Sequence, residues 1–548
     1  MKNLKAILFI LLLLLSGCGQ DKKSEIRPVV IAISSDIQSA TPIYTYGISE
    51  SIIFEETNPG LVGHKWDQET GTLTNYPMLA KSWKWDDDLT GVEFELRDDI
   101  YWSDSVKLSP EDIVFTYAAY SAPEVESVFL GLFEKFYRNK NGSVDTSRSF
   151  EILSPSKIKF KFPPGVYPSL LETDLPLIPS HIFRGVPFDK INSSDRIFIN
   201  CGTGPYKMKK WERNQYIILE KRPDNFLVSD TSPDEIILKI IPDYFSRKNQ
   251  LLKGEVDIVD EISTEDIDEI SAEADINVGS MKGRKYDFIS WNNIDPSDFS
   301  NGEISDHKLF GSPAVRMALT YAINRQSIVD EFLEGHGEIA NGPISKIFRE
   351  FYVEPENPFD FSPDEAKKLL ESEGWTDSDN DGILDKNGEN FSFVLNYASG
   401  KPLREFTANV VKANLQQIGI EVKIEPLERG IFLDKMYSRK MDAFISGWQI
   451  PIPLQMKPFW YSDLKNTPTN TAGFRDAETD LLIDQALKTE NTDELKNLYS
   501  QIQRNIEKKH PVTFLFWLES YTAYNKRIKN VDINPLGSVQ RCWEWKIE

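Results

Sequence analysis

The chain is poor in cysteine, histidine and positive charge, and after its first fifteen residues it has no long hydrophobic run. Each shortage excludes a class. Three cysteines in 548 residues, Cys18, Cys201 and Cys542, cannot build a disulfide-dense scaffold. The five histidines, His64, His181, His307, His336 and His510, are scattered with no i, i+4 pair and no cysteine nearby, so no zinc motif is present. Lys and Arg number 62 against 85 Asp and Glu, a net charge of −23 that repels a phosphate backbone and argues against a nucleic-acid partner. There is no P-loop and no GxSxG elbow. What remains is an ordinary globular composition, 40% hydrophobic, 12% aromatic and 27% charged, in a chain long enough for three to four domains or two large lobes.

The first residues carry an export signal. Lys2 and Lys5 precede an apolar stretch from Ala6 to Leu15, too short to span a bilayer, and Leu15-Ser16-Gly17-Cys18 follows. This resembles a bacterial lipoprotein signal, which implies removal of residues 1–17, lipid on Cys18 and a polar tether over 18–25. The expected location is the bacterial cell envelope, in the periplasm or on the outer face of the cytoplasmic membrane. In an oxidising compartment Cys201 and Cys542 either pair or stay as two buried thiols, and their separation in space decides.

Further on, helix and strand signals alternate. Val29 to Ile33 reads as a strand, and Val92, Phe94, Leu96 and Ile158, Phe160, Phe162 alternate with charged residues as half-buried strands do. Ser109-Pro110, Ser312-Pro313 and Ser362-Pro363 each place an N-cap and a proline at a helix start, with Glu365 expected to complete a capping box. The helix from Pro313 is expected to run to near Gly335. Another, from about Leu403 to Gly419, hands over to alternating Ile420, Val422 and Ile424. The alternation predicts α/β lobes with mixed sheets.

Several blocks then occur in a recognisable order: Tyr76-Pro77-Met78-Leu79-Ala80-Lys81-Ser82-Trp83, Trp102-Ser103-Asp104, Gly202-Thr203-Gly204-Pro205-Tyr206, Leu252 to Asp257, and Ala314 to Arg325. Together they resemble the bacterial extracellular solute-binding proteins of family 5. The resemblance implies a two-lobed, periplasmic-binding-protein-like fold of type II with an extra subdomain in the first lobe. Carried onto this chain, lobe I comprises 26–287 plus 512–548, with the subdomain at about 50–190, and lobe II comprises 288–511. It further implies a monomeric, non-enzymatic receptor that captures a peptide or other small solute between its lobes and delivers it to an ABC permease. A sensor or chaperone on the same fold is the alternative, and an exported hydrolase a more distant one, since nothing in the sequence sets two carboxylates in one cleft.

The resemblance also proposes site residues. Trp448 and Gln449 fall at a ligand-contacting position, Tyr46, Glu55, Glu56 and Asn58 in the facing segment of lobe I, and Trp460 and Tyr461 just beyond. Peptide-binding members carry an aspartate three residues after the tryptophan, where it meets the peptide's α-amino group. Here that position is Pro451, with neither carboxylate nor N–H. A buried ammonium without a counter-ion costs several kcal/mol. Either another acid compensates, with Asp463 the nearest in sequence, or the ligand has no free amino end. Separately, Asp377, Asp379, Asp381 and Asp385 follow the DxDxDGxxD spacing of a calcium loop. Gly388 stands where an EF-hand has its bidentate glutamate, so the loop is either a calcium site or a plain acidic turn.

Overall fold

The computed structural model describes residues 28–44, 48–127, 129–166, 168–193, 201–489 and 491–548. The expected signal segment, Cys18 and Tyr46 lie outside them. Among the described residues no helix is long and apolar enough to cross a membrane.

The chain opens with strand β1 (Val29–Ile33) and the helix Ile48–Thr57, then a hairpin of β2 (Val62–Asp67) and β3 (Thr72–Pro77). β4 (Ala80–Trp85), β5 (Gly91–Leu96), β6 (Phe150–Ser154) and β7 (Lys157–Lys161) form a separate four-stranded sheet in the order β4-β5-β7-β6. Its alternation is that of the sequence: Val92, Phe94, Ile158 and Phe160 are buried while the lysines and glutamates between them face outward. The helix Pro110–Tyr120 covers the apolar face, begun by the Ser109 N–H donating to Asp112 at 2.9 Å.

The chain returns through β8 (Tyr206–Glu212), β9 (Tyr216–Lys221), β10 (Glu235–Ile240) and β11 (Ile258–Ile262) to β12 (Ile276–Trp291). β13 (Gly337–Ile339), the small hairpin β14 (Asp385–Lys386) and β15 (Glu389–Asn390), β16 (Ser392–Ala398), β17 (Glu421–Leu427), β18 (Ala443–Gln449) and β19 (Val512–Asn525) follow. Eleven strands make one mixed sheet, ordered β17-β16-β18-β12-β19-β11-β1-β10-β9-β8 with β13 also on β19.

β12 and β19 belong to both halves of this sheet. At about 3.4 Å per residue the 16 residues of β12 span roughly 50 Å, enough to cross from one core to another. Its first part, Ile276 to Met281, pairs with Ser520 to Asn525, next to β11; its last part, Lys285 to Ser290, pairs with Val512 to Leu518, next to β18. Between Met281 and Lys285 the register slips, and Gly283 there has φ +70°. A bulge breaks the ladder and lets the strand bend between the halves.

Four cores follow from this arrangement. Two flank the first half's sheet, one containing Val29, Phe94, Tyr117 and Trp545 and one containing Ala32, Val259, Ile270 and Ala523. The other two lie on opposite faces of the second half's sheet: Ile289, Trp291, Leu395 and Ile445 point one way, Phe288, Phe444 and Phe514 the other. Buried arginines fasten the loops around these cores. Arg316 donates to the carbonyls of Phe310, Gly311, Lys509 and His510, and Arg325 to those of Ala340, Pro358, Phe359 and Phe514.

Two local expectations are corrected. The helix from Pro313 ends at Tyr321, and Asn324 caps a second helix, Arg325–Glu331, by accepting from the Ser327 N–H. The box at Ser362 is half formed: Ser362 accepts from the Glu365 N–H, but the Glu365 carboxylate turns to Lys368.

Candidate functional site

Where the sheet changes hands, a cavity of 660 Å³ opens, lined by both halves. Its volume falls in the usual range for small-solute sites. The first half contributes Glu55 and Asn58 from the end of the helix Ile48–Thr57, His64 and Tyr76 from the β2–β3 hairpin, and the loop Leu536 to Gln540. Arg284 and Lys285 come from the bend in β12, and Gln449 from the end of β18.

The helix end is held by contacts that only glycine permits. The Gly204 N–H donates to the Thr57 carbonyl at 2.9 Å, and a Cβ on Gly204 would sit 2.2 Å from the Glu56 carbonyl oxygen. A Cβ on Gly202 would meet the Thr57 carbonyl at 2.1 Å. The Gly202 to Tyr206 block thus clamps the helix turn that presents Glu55. Asn58 completes the clamp, its amide donating to the carbonyls of Leu177 and Cys201.

The Glu55 carboxylate accepts the Arg541 N–H at 3.3 Å and forms no ion pair among the described residues. Burial pushes its pKa up to about 7, partly opposed by that N–H and by the Arg541 guanidinium. Glu56 faces the other way. It is fully buried, takes the Cys542 N–H at 2.6 Å, and has its second oxygen without a partner. Burial first, and the neighbouring Glu55 second, hold it well above the usual carboxylate range.

Across the wall, His64 is clasped between Asp174 at 2.9 Å and Asn75 at 2.7 Å; these bonds raise its pKa despite burial, which works against them. Lys285 pairs with Glu261 at 2.9 Å. Arg284 donates to the Ile450 carbonyl at 3.3 Å and to the Pro535 carbonyl at 2.5 Å, and so touches both halves. With its amide turned to accept, the Gln449 oxygen lies 3.1 Å from two of the Arg284 nitrogens. The halves also meet at the hairpin tip: the Glu350 N–H donates to the Thr70 carbonyl at 3.1 Å, and Trp66 meets Phe348 edge-on at 5.7 Å.

A solute-sized cavity at the hinge of two halves agrees with the sequence blocks, and a family model decides the matter: that of the bacterial extracellular solute-binding proteins, family 5 Middle, matches residues 74–471. The chain belongs to family 5. The oligopeptide-binding protein AppA of Bacillus subtilis is 29% identical over 486 residues, covering 85% of this chain and 82% of AppA. The solved structure of AppA from Bacillus subtilis in complex with a nonapeptide superposes with a TM-score of 0.72 at 24% identity, covering 95% of this chain and 100% of that one. NikZ from Campylobacter jejuni in complex with Ni(L-His) gives 0.73 at 25% identity, covering 95% and 99%. The two-lobed α/β fold is therefore the family 5 fold.

Within this family 5 fold, the residues proposed from the sequence separate. Glu55, Asn58 and Gln449 line the cavity. Trp448 does not: successive side chains on β18 point to opposite faces, so Trp448 lies against Phe288 at 6.2 Å and Phe459 at 5.5 Å. Trp460 is buried against Phe474 and Phe514, and the two tryptophans border a separate void of only 10 Å³. Tyr461 donates to Asp484 at 2.7 Å, away from the cavity. Asp463 is an exposed turn residue that binds the Asn466 amide. Sequence reasoning missed Arg284, His64 and the loop Leu536 to Gln540, which no motif marks.

Cys201 and Cys542 are two separate, buried, free thiols. Cys542 lies beside Glu56, and its thiol is raised well above its ordinary pKa by burial and the two glutamates. Burial pushes the Cys201 thiol up to about 12. In the acidic loop, oxygens of Asp377, Asp379 and Asp381 converge within 4.8 Å, all exposed. Asp385 is not with them: its two oxygens take the N–H and hydroxyl of Ser378. Backbone N–H groups of Asp381, Gly382 and Ile383 each donate to one oxygen of the other three carboxylates, those of Asp379, Asp377 and Asp381.

Proposed function

We propose that this protein is the solute receptor of an ABC importer, anchored to the cell envelope through lipid on Cys18, which captures a peptide or comparable small solute and hands it to a membrane permease. The observation that carries the reading is the 660 Å³ cavity at the bend of β12, lined by both halves of a sheet that share β12 and β19. Two strands crossing side by side form a hinge, and a solute between the halves adds contacts only when they close on it. The relatives named for oligopeptide binding support a peptide, and the acid that Pro451 lacks is available from the other wall as Glu55. The reading is of binding without turnover.

A thermal-shift screen over peptides, sugars and metal chelates, followed by small-angle scattering with the best binder, tests the proposal. Ligand should raise the melting temperature and reduce the radius of gyration. A tight ligand that leaves the radius unchanged, or that is chemically altered, would refute it. Mass spectrometry of the membrane-extracted protein should find Cys18 as a lipidated N-terminus. A free thiol there would remove the anchor from the proposal.

A further inference from the structure

The two ends of the β2–β3 hairpin keep different company. At its base Gly63, His64 and Tyr76 line the cavity, whereas Trp66, Thr70 and Gly71 towards its tip do not. The tip instead meets the second half, on the loop Ser345 to Tyr352. Trp66 packs against the core that contains Phe288, Phe444 and Phe514 and touches Phe348 edge-on at 5.7 Å, so a ring of one half extends the apolar core of the other. The Thr70 carbonyl accepts the Glu350 N–H at 3.1 Å. Gly71, with φ +70°, lies so near that a Cβ there would sit 2.0 Å from the Ile347 carbonyl oxygen and 2.5 Å from the Arg349 nitrogen. The receiving loop also reaches the hinge, where a Cβ on Gly283 would sit 2.2 Å from the Ser345 hydroxyl oxygen.

We infer that the hairpin tip is the latch of the closed receptor, and that Trp66 and Gly71 set solute affinity without touching the solute. This rests on the solute-binding reading above and deepens it. A hinge leaves two halves free to separate, and the balance between open and closed forms is set by contacts made in only one of them. The tip contacts are of that kind: Trp66, Thr70 and Gly71 belong to the first half, Ile347, Phe348 and Glu350 to the second, and separation of the halves undoes them together. They are also few and uncharged, one aromatic edge, one hydrogen bond and one close seating of main chain, which suits a catch that must release. Apparent affinity scales with the fraction of molecules in the binding-competent form, so a loosened latch weakens binding of any solute, whatever its chemistry. Trp66 and Gly71 are in this sense positioning residues.

Paired spin labels on Gln68→Cys in the hairpin turn and Asn497→Cys on the helix Thr492–Lys509 test the latch in the full chain; both positions are exposed, while Cys201 and Cys542 are buried. The chain should show a close-distance population that a pool of tri- to pentapeptides enlarges. Trp66→Ala should lower the ratio of closed to open forms about tenfold, and Gly71→Val should act in the same direction. Trp66→Phe, which keeps a ring edge for Phe348, should restore most of the closed form. With the tightest peptide of the pool, Trp66→Ala should speed dissociation about tenfold and leave association within about twofold, a split that damage to the cavity itself would not give. Distances unchanged in both Trp66→Ala and Gly71→Val, or a loss of affinity carried by slower association, would overturn the inference. The solute-binding reading fails separately, if no solute of any class compacts the chain, and the distances in the peptide-free chain then still decide the latch.

Discussion

Trp448 and Gln449 are neighbours on β18 and belong to different parts of the molecule. Gln449 ends in the cavity beside Arg284, while Trp448 sits in an aromatic core with Phe288, Tyr437 and Phe459. The contrast extends to the regions they represent. The first-half wall, built from a clamped helix end, a hairpin and a C-terminal loop, mixes apolar side chains such as Ile52, Phe54, Val62 and Met78 with Glu55, His64 and Asp174, and so exposes charge to the cavity. The aromatic segment of the second half is turned away from the cavity, its rings packed on one another with Trp448 half-buried and Tyr437 exposed. One region faces the cavity with charge and the other contributes stability, because its ring contacts are made to other rings.

The largest effects that would break this comparison concern stability. Trp460→Ala should cost about 3–5 kcal/mol, measured by urea unfolding, since it empties a buried aromatic site. Trp448→Ala, half-buried, should cost about 2–3 kcal/mol while leaving affinity for any cavity ligand within about twofold. A large loss of affinity without loss of stability would put Trp448 back in the site. Gly204→Ala should follow at about 2 kcal/mol, because its methyl meets the Glu56 carbonyl and no flexible side chain can yield. This variant should also weaken ligand binding, since the displaced helix end carries Glu55.

A smaller effect sharpens the polar side. The pKa of Glu55 is raised when folded, from 4.5 to about 7, so the folded chain holds a proton there that the unfolded chain releases. Its contribution to stability is therefore full below about pH 4.5 and falls as pH rises through 7. Glu55→Gln should flatten the pH dependence of unfolding across that window; an unchanged profile would show that the carboxylate is solvated. The smallest expected effect concerns the thiols. Cys201 and Cys542 should react with a thiol reagent only after unfolding, and reductant should leave the melting temperature unchanged within about 1 °C. A drop on reduction would reveal a bridge.

The recognisable sequence blocks proved to be scaffold. Gly202 and Gly204 clamp a helix. Asp257 takes the Val30 N–H and the Arg527 guanidinium, tying β1 and β11 to the end of β19. Arg316 and Arg325 bind loop carbonyls. Each of these residues satisfies a backbone geometry of this fold rather than a contact with the cavity. Glu55, Asn58 and Gln449 were legible only through the same resemblance. Arg284 was not, since an arginine after a glycine in an acidic chain carries no local mark.

By itself the sequence determined the α/β class, the amphipathic strands and the helix starts, because these depend on periodicity, caps and side-chain type within short windows, and the order of its blocks carried the resemblance to the family. Tertiary structure alone decided which neighbour on β18 meets the cavity, that Glu56 turns inward to Cys542 while Glu55 does not, and that Arg284 lies beside Pro535. Those outcomes depend on register and on contacts between segments up to 486 residues apart. A one-residue change of register reverses which face a strand residue takes, and no local window carries that information.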